Sequence, residues 1–196
     1  MTPVRIGVFG GTFDPPHVGH LLAASDAYEA LMLDRLLFVP AGMQPFKVGA
    51  VHATGRQRLE MLALLVNADQ RFAVDPIEIE REGLSFTVDT LATLADREAG
   101  AALFLLVGQD LAGQIGTWRE PARIAELAEI VVLSRPGCEP AASMPGAVTL
   151  PMRRLQTRRI ELSSREIRER VRTGKSIHGF VPDAVADYIE SAGLYR

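Results

Sequence analysis

Hydrophobic and polar positions alternate between two rhythms along this chain. Short, continuous apolar runs stand at residues 4–9, 36–39, 102–107 and 130–133. Such runs are the signature of strands covered on both faces. Between them, apolar positions recur at close to 3.6 residues. Over 18–33 the helical spacing is carried by Leu21, Leu22, Tyr28, Leu31 and Met32. Thr54 stands where a cap is needed, ahead of a helix through Leu59, Leu62, Leu65 and Val66. Further helices are predicted over 87–98, from Asp110 onward, over 163–173 and over 182–192. Residues 72–74 and 77–79, on either side of Pro76, are predicted as two short strands. The stretch from Gly137 to Arg159 has the least regular pattern and is predicted as loop.

Strands separated by helices predict an α/β fold: a single doubly wound, Rossmann-like domain spanning 1–196, with a parallel sheet and a helical C-terminal end. In such sheets ligands bind outside the carboxyl ends of the strands, at the point where strand order reverses. That rule gathers 10–20, 40–47, 108–110 and 134–135 on one rim.

Composition narrows the class. The 196 residues are 47% hydrophobic and 23% charged, with a net charge of −3. A chain of this balance gives no reason to expect nucleic acid as a partner. Its single cysteine, Cys138, excludes an internal disulfide and fits a reducing, cytoplasmic setting. The first apolar run is too short for a secretory signal, and no window nears the roughly 20 apolar residues of a membrane span. A homo-oligomer is compatible with everything so far.

The most telling stretch follows the first strand: Gly10-Gly11-Thr12-Phe13-Asp14-Pro15-Pro16-His17-Val18-Gly19-His20. Gly10 and Gly11 let backbone approach a ligand closely. The start of the next helix favours an anion. His17 and His20, three apart, share a helical face and can donate to phosphate oxygens. Two other readings stand beside this one: a tight strand-to-helix turn with incidental histidines, and a metal site built from Asp14, His17 and His20. A second block, Ser163-Ser164-Arg165-Glu166-Ile167-Arg168, offers a capping hydroxyl and a guanidinium fork for phosphate; read by itself, the pattern favours a capped helix with solvated arginines. Gly174-Lys175-Ser176 lacks both the first glycine and the strand that a Walker loop needs. The arginines at 153, 154, 158 and 159 are read as a solvated cluster.

The Gly11–Pro15 and His17-x-x-His20 segments together resemble the H-x-G-H nucleotidylyltransferase superfamily. The last part is also similar to class I aminoacyl-tRNA synthetases, whose lysine-rich loop this short chain lacks. Residues 163–168 are similar to the superfamily's I-S-S-T-x-I-R motif, with Leu162 and Arg165 departing from it. Glu78 to Leu91, Gly108-Gln109-Asp110, Trp118 and Arg135-Pro136-Gly137 resemble segments of bacterial nicotinate-nucleotide adenylyltransferases, with Phe86 where tyrosine is usual. Gln44-Pro45-Phe46-Lys47 keeps the lysine of their P-P-H-K segment and not its histidine.

The resemblance implies a transferase of NAD biosynthesis that joins ATP to nicotinate mononucleotide, with Mg2+ carried by ATP. Under it, His20 and the amides of Gly11, Thr12 and Phe13 hold the α-phosphate, with Gly10 giving room, while His17 grips another phosphate. Lys47 adds positive charge near the reacting groups. Ser163, Ser164 and Arg168 hold the β- and γ-phosphates. Asp110 reaches a ribose hydroxyl beside Gly108. Trp118 stacks on the pyridine ring, backbone near Thr87 and Arg119 holds its carboxylate, and Arg135 completes the mononucleotide side. Two alternatives stay open: a related transferase acting on nicotinamide mononucleotide or phosphopantetheine, and a nucleotide sensor without turnover.

Overall fold

A computed structural model describes residues 2–42, 51–134 and 144–196. Its six strands form one parallel sheet in the order β3-β2-β1-β4-β5-β6. They are β1 (Arg5–Gly11), β2 (Arg35–Pro40), β3 (Phe72–Val74), β4 (Ala102–Gly108), β5 (Ala128–Ser134) and β6 (Met152–Gln156). The order reverses between β1 and β4, which is where a doubly wound sheet opens its ligand crevice. Among the described residues no helix is long and apolar enough to cross a membrane.

Successive side chains of a strand point to opposite faces, and this divides the core in two. Phe9, Phe38, Phe104, Leu106 and Val131 face α1 (Val18–Ala30), α2 (Gly55–Val66), α7 (Ser164–Arg172) and α8 (Asp183–Ser191). Ile6, Val8, Leu37, Val39, Leu105 and Val107 face α4 (Thr87–Arg97) and α6 (Pro121–Leu127). Two one-turn helices, α3 (Ile77–Glu80) and α5 (Gln109–Ala112), lie at the strand ends.

Three sequence expectations are corrected. The first helix ends at Ala30, because Leu33 N–H reaches the Tyr28 carbonyl and Met32 N–H the Glu29 carbonyl. This Schellman closure puts Met32 in the left-handed position that glycine usually takes, at φ +49°. Residues 77–79 alternate like a strand, yet they form α3: the Asp75 carboxylate accepts the Ile77 amide, and the amides of Ile79 and Glu80 return to the Pro76 carbonyl. The stretch read as loop contains β6. Its residues are mostly exposed, as suits an edge, so no apolar run marks it, and Arg153 and Arg154 discourage pairing with another chain.

Met32 is 75% exposed, so its side chain buries little. Met32→Gly is expected to remove the left-handed penalty at the cost of a looser unfolded chain, a net gain of about 0.5–1 kcal/mol. The midpoint of urea unfolding checks this; a lower midpoint contradicts it.

Candidate functional site

Residues 12–17 leave β1 with no ladder of their own, so side chains from distant elements hold them. Arg58 of α2, only 4% exposed, donates from Nη1 to the Thr12 carbonyl at 2.9 Å. Arg168 of α7 donates to the Asp14 carbonyl at 2.6 Å, and Ser164 Oγ to the Pro15 carbonyl at 2.7 Å. The Asp14 carboxylate accepts the amides of His52 and Ala53 at 2.8 and 3.1 Å and the Tyr195 hydroxyl at 2.7 Å. Its oxygens are therefore engaged by three hydrogen-bond donors, and among the described residues no group of three or more His, Cys, Asp or Glu is placed to hold a metal ion.

The loop delivers His17 as the cap of α1. The His17 amide donates to His20 Nδ1 at 3.2 Å. Nδ1 is thus an acceptor, and neutral His20 carries its proton on Nε2. The two rings stack with centroids 3.7 Å apart and planes at 26°. Phe13 packs against His20 edge-on at 4.9 Å, with Phe9 behind, and the residue as a whole is half-buried. Burial first, and the neighbouring His17 second, hold His20 well below the usual histidine pKa. At neutral pH it is an uncharged Nε2–H donor.

The glycine between the histidines has a steric cause. A Cβ at Gly19 would lie 2.9 Å from His17 Nδ1 and 3.0 Å from its Cε1, so any larger residue pushes the ring off its partner. The start of α1 is less open to an anion than the sequence suggested. Its Val18 amide binds the Phe180 carbonyl and its His20 amide the His17 carbonyl. An anion bound here would meet the histidine side chains and the loop rather than those two amides.

On the other face of the sheet lies a cleft of about 240 Å³. Gly10, Gly11, Thr12 and Gly108 form its rim at the strand ends, and Val8, Val39, Leu105 and Val107 its floor. Phe86 and Thr87 at the start of α4, with Trp118 and Arg119, form a wall. A Cβ at Gly10 or Gly108 would meet no protein atom within 4 Å, so the fold itself does not demand glycine there. Trp118 packs partly on the core beneath while lining the cleft. The Arg119 guanidinium sits 4.8 Å above the Phe86 ring and 3.5 Å from Asp89. Phe86 thus serves as its platform without a hydroxyl. Deeper in, Glu78 accepts the Thr90 hydroxyl at 2.9 Å and the Gly42 amide at 3.4 Å. Burial raises its pKa against those hydrogen bonds. A Cβ at Gly42 would lie 2.2 Å from the Glu78 carbonyl oxygen, so this junction requires glycine.

The structure gathers most of the expected residues. Gly10, Gly11, Thr12, Thr87, Gly108, Trp118 and Arg119 line the cleft. Phe13 and His17 to His20 sit across β1 from it, with Ser164 and Arg168 bonded to the same loop. Ser163 caps α7, its Oγ accepting the Glu166 amide at 3.2 Å. Asp110 is exposed in α5, outside the cleft lining. Lys47 and Arg135 lie outside the described residues. In the surface cluster, Arg153, Arg158 and Arg159 pair with Glu129, Asp26 and Glu161. Sequence reading assigned no site role to Arg58, Glu78 or Tyr195. Arg58 carried a signal, for it shares the helical face of Met61, Leu62 and Leu65, and a buried arginine needs partners.

Residues 8–170 match the cytidylyltransferase-like family. A probable nicotinate-nucleotide adenylyltransferase of Gemmatimonas aurantiaca is 49% identical over 200 residues, covering 98% of this chain and 93% of the relative. Another, from Thermus thermophilus, is 45% identical over 193 residues, covering 98% and 100%. Among solved structures, the nicotinic acid mononucleotide adenylyltransferase of Plasmodium falciparum complexed with NaAD superposes with a TM-score of 0.74. It is 16% identical and the match covers 97% of each chain, a likeness of fold.

The depressed His20 pKa has a signed consequence. Unfolded histidine titrates near 6.5. Between that value and the lower folded one, the unfolded chain holds the extra proton, so stability is full above about pH 6.5 and is lost as pH falls. His20→Gln is expected to flatten this fall between about pH 6.5 and 5, measured as the difference in unfolding free energy between the two proteins. The difference cancels groups common to both, such as His178, whose bond to Asp183 raises its pKa. Parallel curves would show that His20 is not the titrating group.

Proposed function

The chain belongs to the cytidylyltransferase-like family and, within it, to the nicotinate-nucleotide adenylyltransferases, and we propose that it joins ATP to nicotinate mononucleotide. The products are nicotinate adenine dinucleotide and pyrophosphate, a step of NAD biosynthesis. A phosphate oxygen of the mononucleotide attacks the α-phosphorus of ATP. The bond from that phosphorus to the bridging oxygen breaks, and pyrophosphate leaves with the electron pair. With a second pKa near 6, the attacking phosphate is mostly ionised at pH 7 and needs no general base. What remains is alignment and stabilisation of charge at the α-phosphate and the leaving group.

The observation that carries this reading is a neutral, tautomer-fixed His20 at the switch point, separated only by β1 from an aromatic-walled cleft. His20 Nε2–H and the Gly11, Thr12 and Phe13 amides serve the α-phosphate, with Gly10 giving room. His17 serves a neighbouring phosphate. Ser163, Ser164 and Arg168 serve the leaving pyrophosphate, and Lys47 adds positive charge near the mononucleotide or the reacting phosphates. Trp118 stacks on the pyridine ring, Thr87 and Arg119 receive its carboxylate, Arg135 adds to that side, and Asp110 and Gly108 meet the adenosine ribose. ATP enters as its Mg2+ complex. One continuous sheet carries both halves of the site, which supports a single working domain over 1–196. A lone cysteine and a nucleotide triphosphate substrate fit a cytoplasmic enzyme.

Pyrophosphate release from ATP with nicotinate mononucleotide tests the reading, with nicotinamide mononucleotide and phosphopantetheine as competing acceptors. Turnover with the nicotinate acceptor is expected to be fastest; binding without release makes the chain a sensor. His20→Ala is expected to lower kcat at least ~10²-fold with the fold intact. Gly19→Ala, by displacing the His17 ring, should cost roughly tenfold or more in kcat/KM. Normal turnover in a folded His20→Ala protein would rule the assignment out.

A further inference from the structure

We propose that Tyr195, second from the end of the chain, is a positioning residue for the phosphate-binding loop, acting through Asp14. This rests on the reading of residues 11–20 as the phosphate grip. Asp14 is 3% exposed, and its carboxylate joins three parts of the chain that are remote in sequence. These are the loop itself, the His52–Ala53 segment entering α2, and the C-terminus. The tyrosine hydroxyl makes the shortest of the three bonds to that carboxylate, at 2.7 Å on Oδ1. Burial and the Asp14 bond both raise its pKa, so it stays protonated and donating.

Two features argue that this contact is selected rather than incidental. Tyr195 holds a left-handed backbone, φ +64°, which a bulky aromatic residue adopts only when its surroundings impose it. The segment is also anchored beforehand, the Leu194 amide bonding to the Ile189 carbonyl of α8. The His52 ring packs edge-on to the tyrosine at 6.3 Å, closing the cluster from the α2 side. Arg58 adds a buried cation facing Asp14, Tyr195 and Glu78. Its hold on the Thr12 carbonyl turns the Phe13 amide of the same trans peptide the opposite way.

Loss of the hydroxyl leaves Asp14 with two amide donors and releases the loop from the C-terminus. The effect should fall on the nucleotide and not on the acceptor, whose cleft lies across the sheet. Tyr195→Phe keeps the ring and tests this. ATP binding in the absence of acceptor, by calorimetry, is expected to weaken about tenfold, as for a hydrogen bond to a charged group. KM for nicotinate mononucleotide should stay within about twofold, and exchange of the Phe13 and His20 amides should quicken. Removing residues 195–196 should reproduce this pattern. Wild-type ATP affinity and amide exchange in Tyr195→Phe would overturn the proposal, as would a lower Tm with unaltered ATP binding and kcat, the mark of a merely structural contact. If the wild-type chain releases no pyrophosphate, the functional reading fails on its own; ATP binding by Tyr195→Phe still decides this one.

Discussion

The active region depends on holding an irregular loop still without secondary structure. Between β1 and α1 the backbone carbonyls of Thr12, Asp14 and Pro15 would otherwise be unpaired, and each finds a side-chain donor from a distant helix. A buried polar group left unmet costs about 1–3 kcal/mol, so the loop has one satisfied arrangement and few near competitors. Two of those donors are arginines, which stay charged at any working pH. Burial draws the Arg58 pKa down, while Asp14, Tyr195 and Glu78 draw it back up. The cost of burying a cation is thereby offset by acidic and phenolic neighbours, and removal of one partner would leave the other exposed to the full penalty.

That rigidity explains the state of the histidines. A phosphate grip made of charged imidazoles would change with pH in the physiological range. Here the stacked pair is packed against Phe9 and Phe13, and the His17 amide occupies His20 Nδ1. The ring gives up protonation to gain a fixed donor direction. Under the proposed function, a donor so preorganised need not reorient as charge develops at the α-phosphate.

Much of this was legible in the sequence, for physical reasons. Buried parallel strands must be apolar throughout, so β1, β2, β4 and β5 announced themselves. The edge strand β6 is exposed and carries arginines, so periodicity could not find it. The Ile77–Glu80 turn alternates like a strand and was decided by the Asp75 cap and Pro76. Met32 ended a helix where no glycine marked the end. Gly10–His20 and Ser163–Arg168 stood out because distinctive residue types recur in each at close spacing, and the fold brings the two segments together. Asp14 drew notice as a candidate ligand and as part of the Gly11–Pro15 segment, and no site role was expected of Tyr195. Their roles arise from contacts across 181 positions of chain, and no local pattern encodes such a pairing.

The two-sided core also bears on how one phosphate grip can serve different acceptors. Strand alternation sends Phe9, Phe38 and Leu106 to the side of α1, α2 and α7, and Val8, Val39 and Leu105 to the side of α4 and the cleft. A change of shape at Trp118, Phe86 or Thr87 repacks against the second set and reaches the histidines only through the strands. Between the two sets stand β1, β2 and β4, each pinned by ladders on both sides. Under the proposed function, the grip at Gly10–His20 sets the chemistry and the α4 face sets the acceptor. Gly10 and Gly11 are where the two sides meet: they line the cleft rim and lead straight into the loop that carries His17.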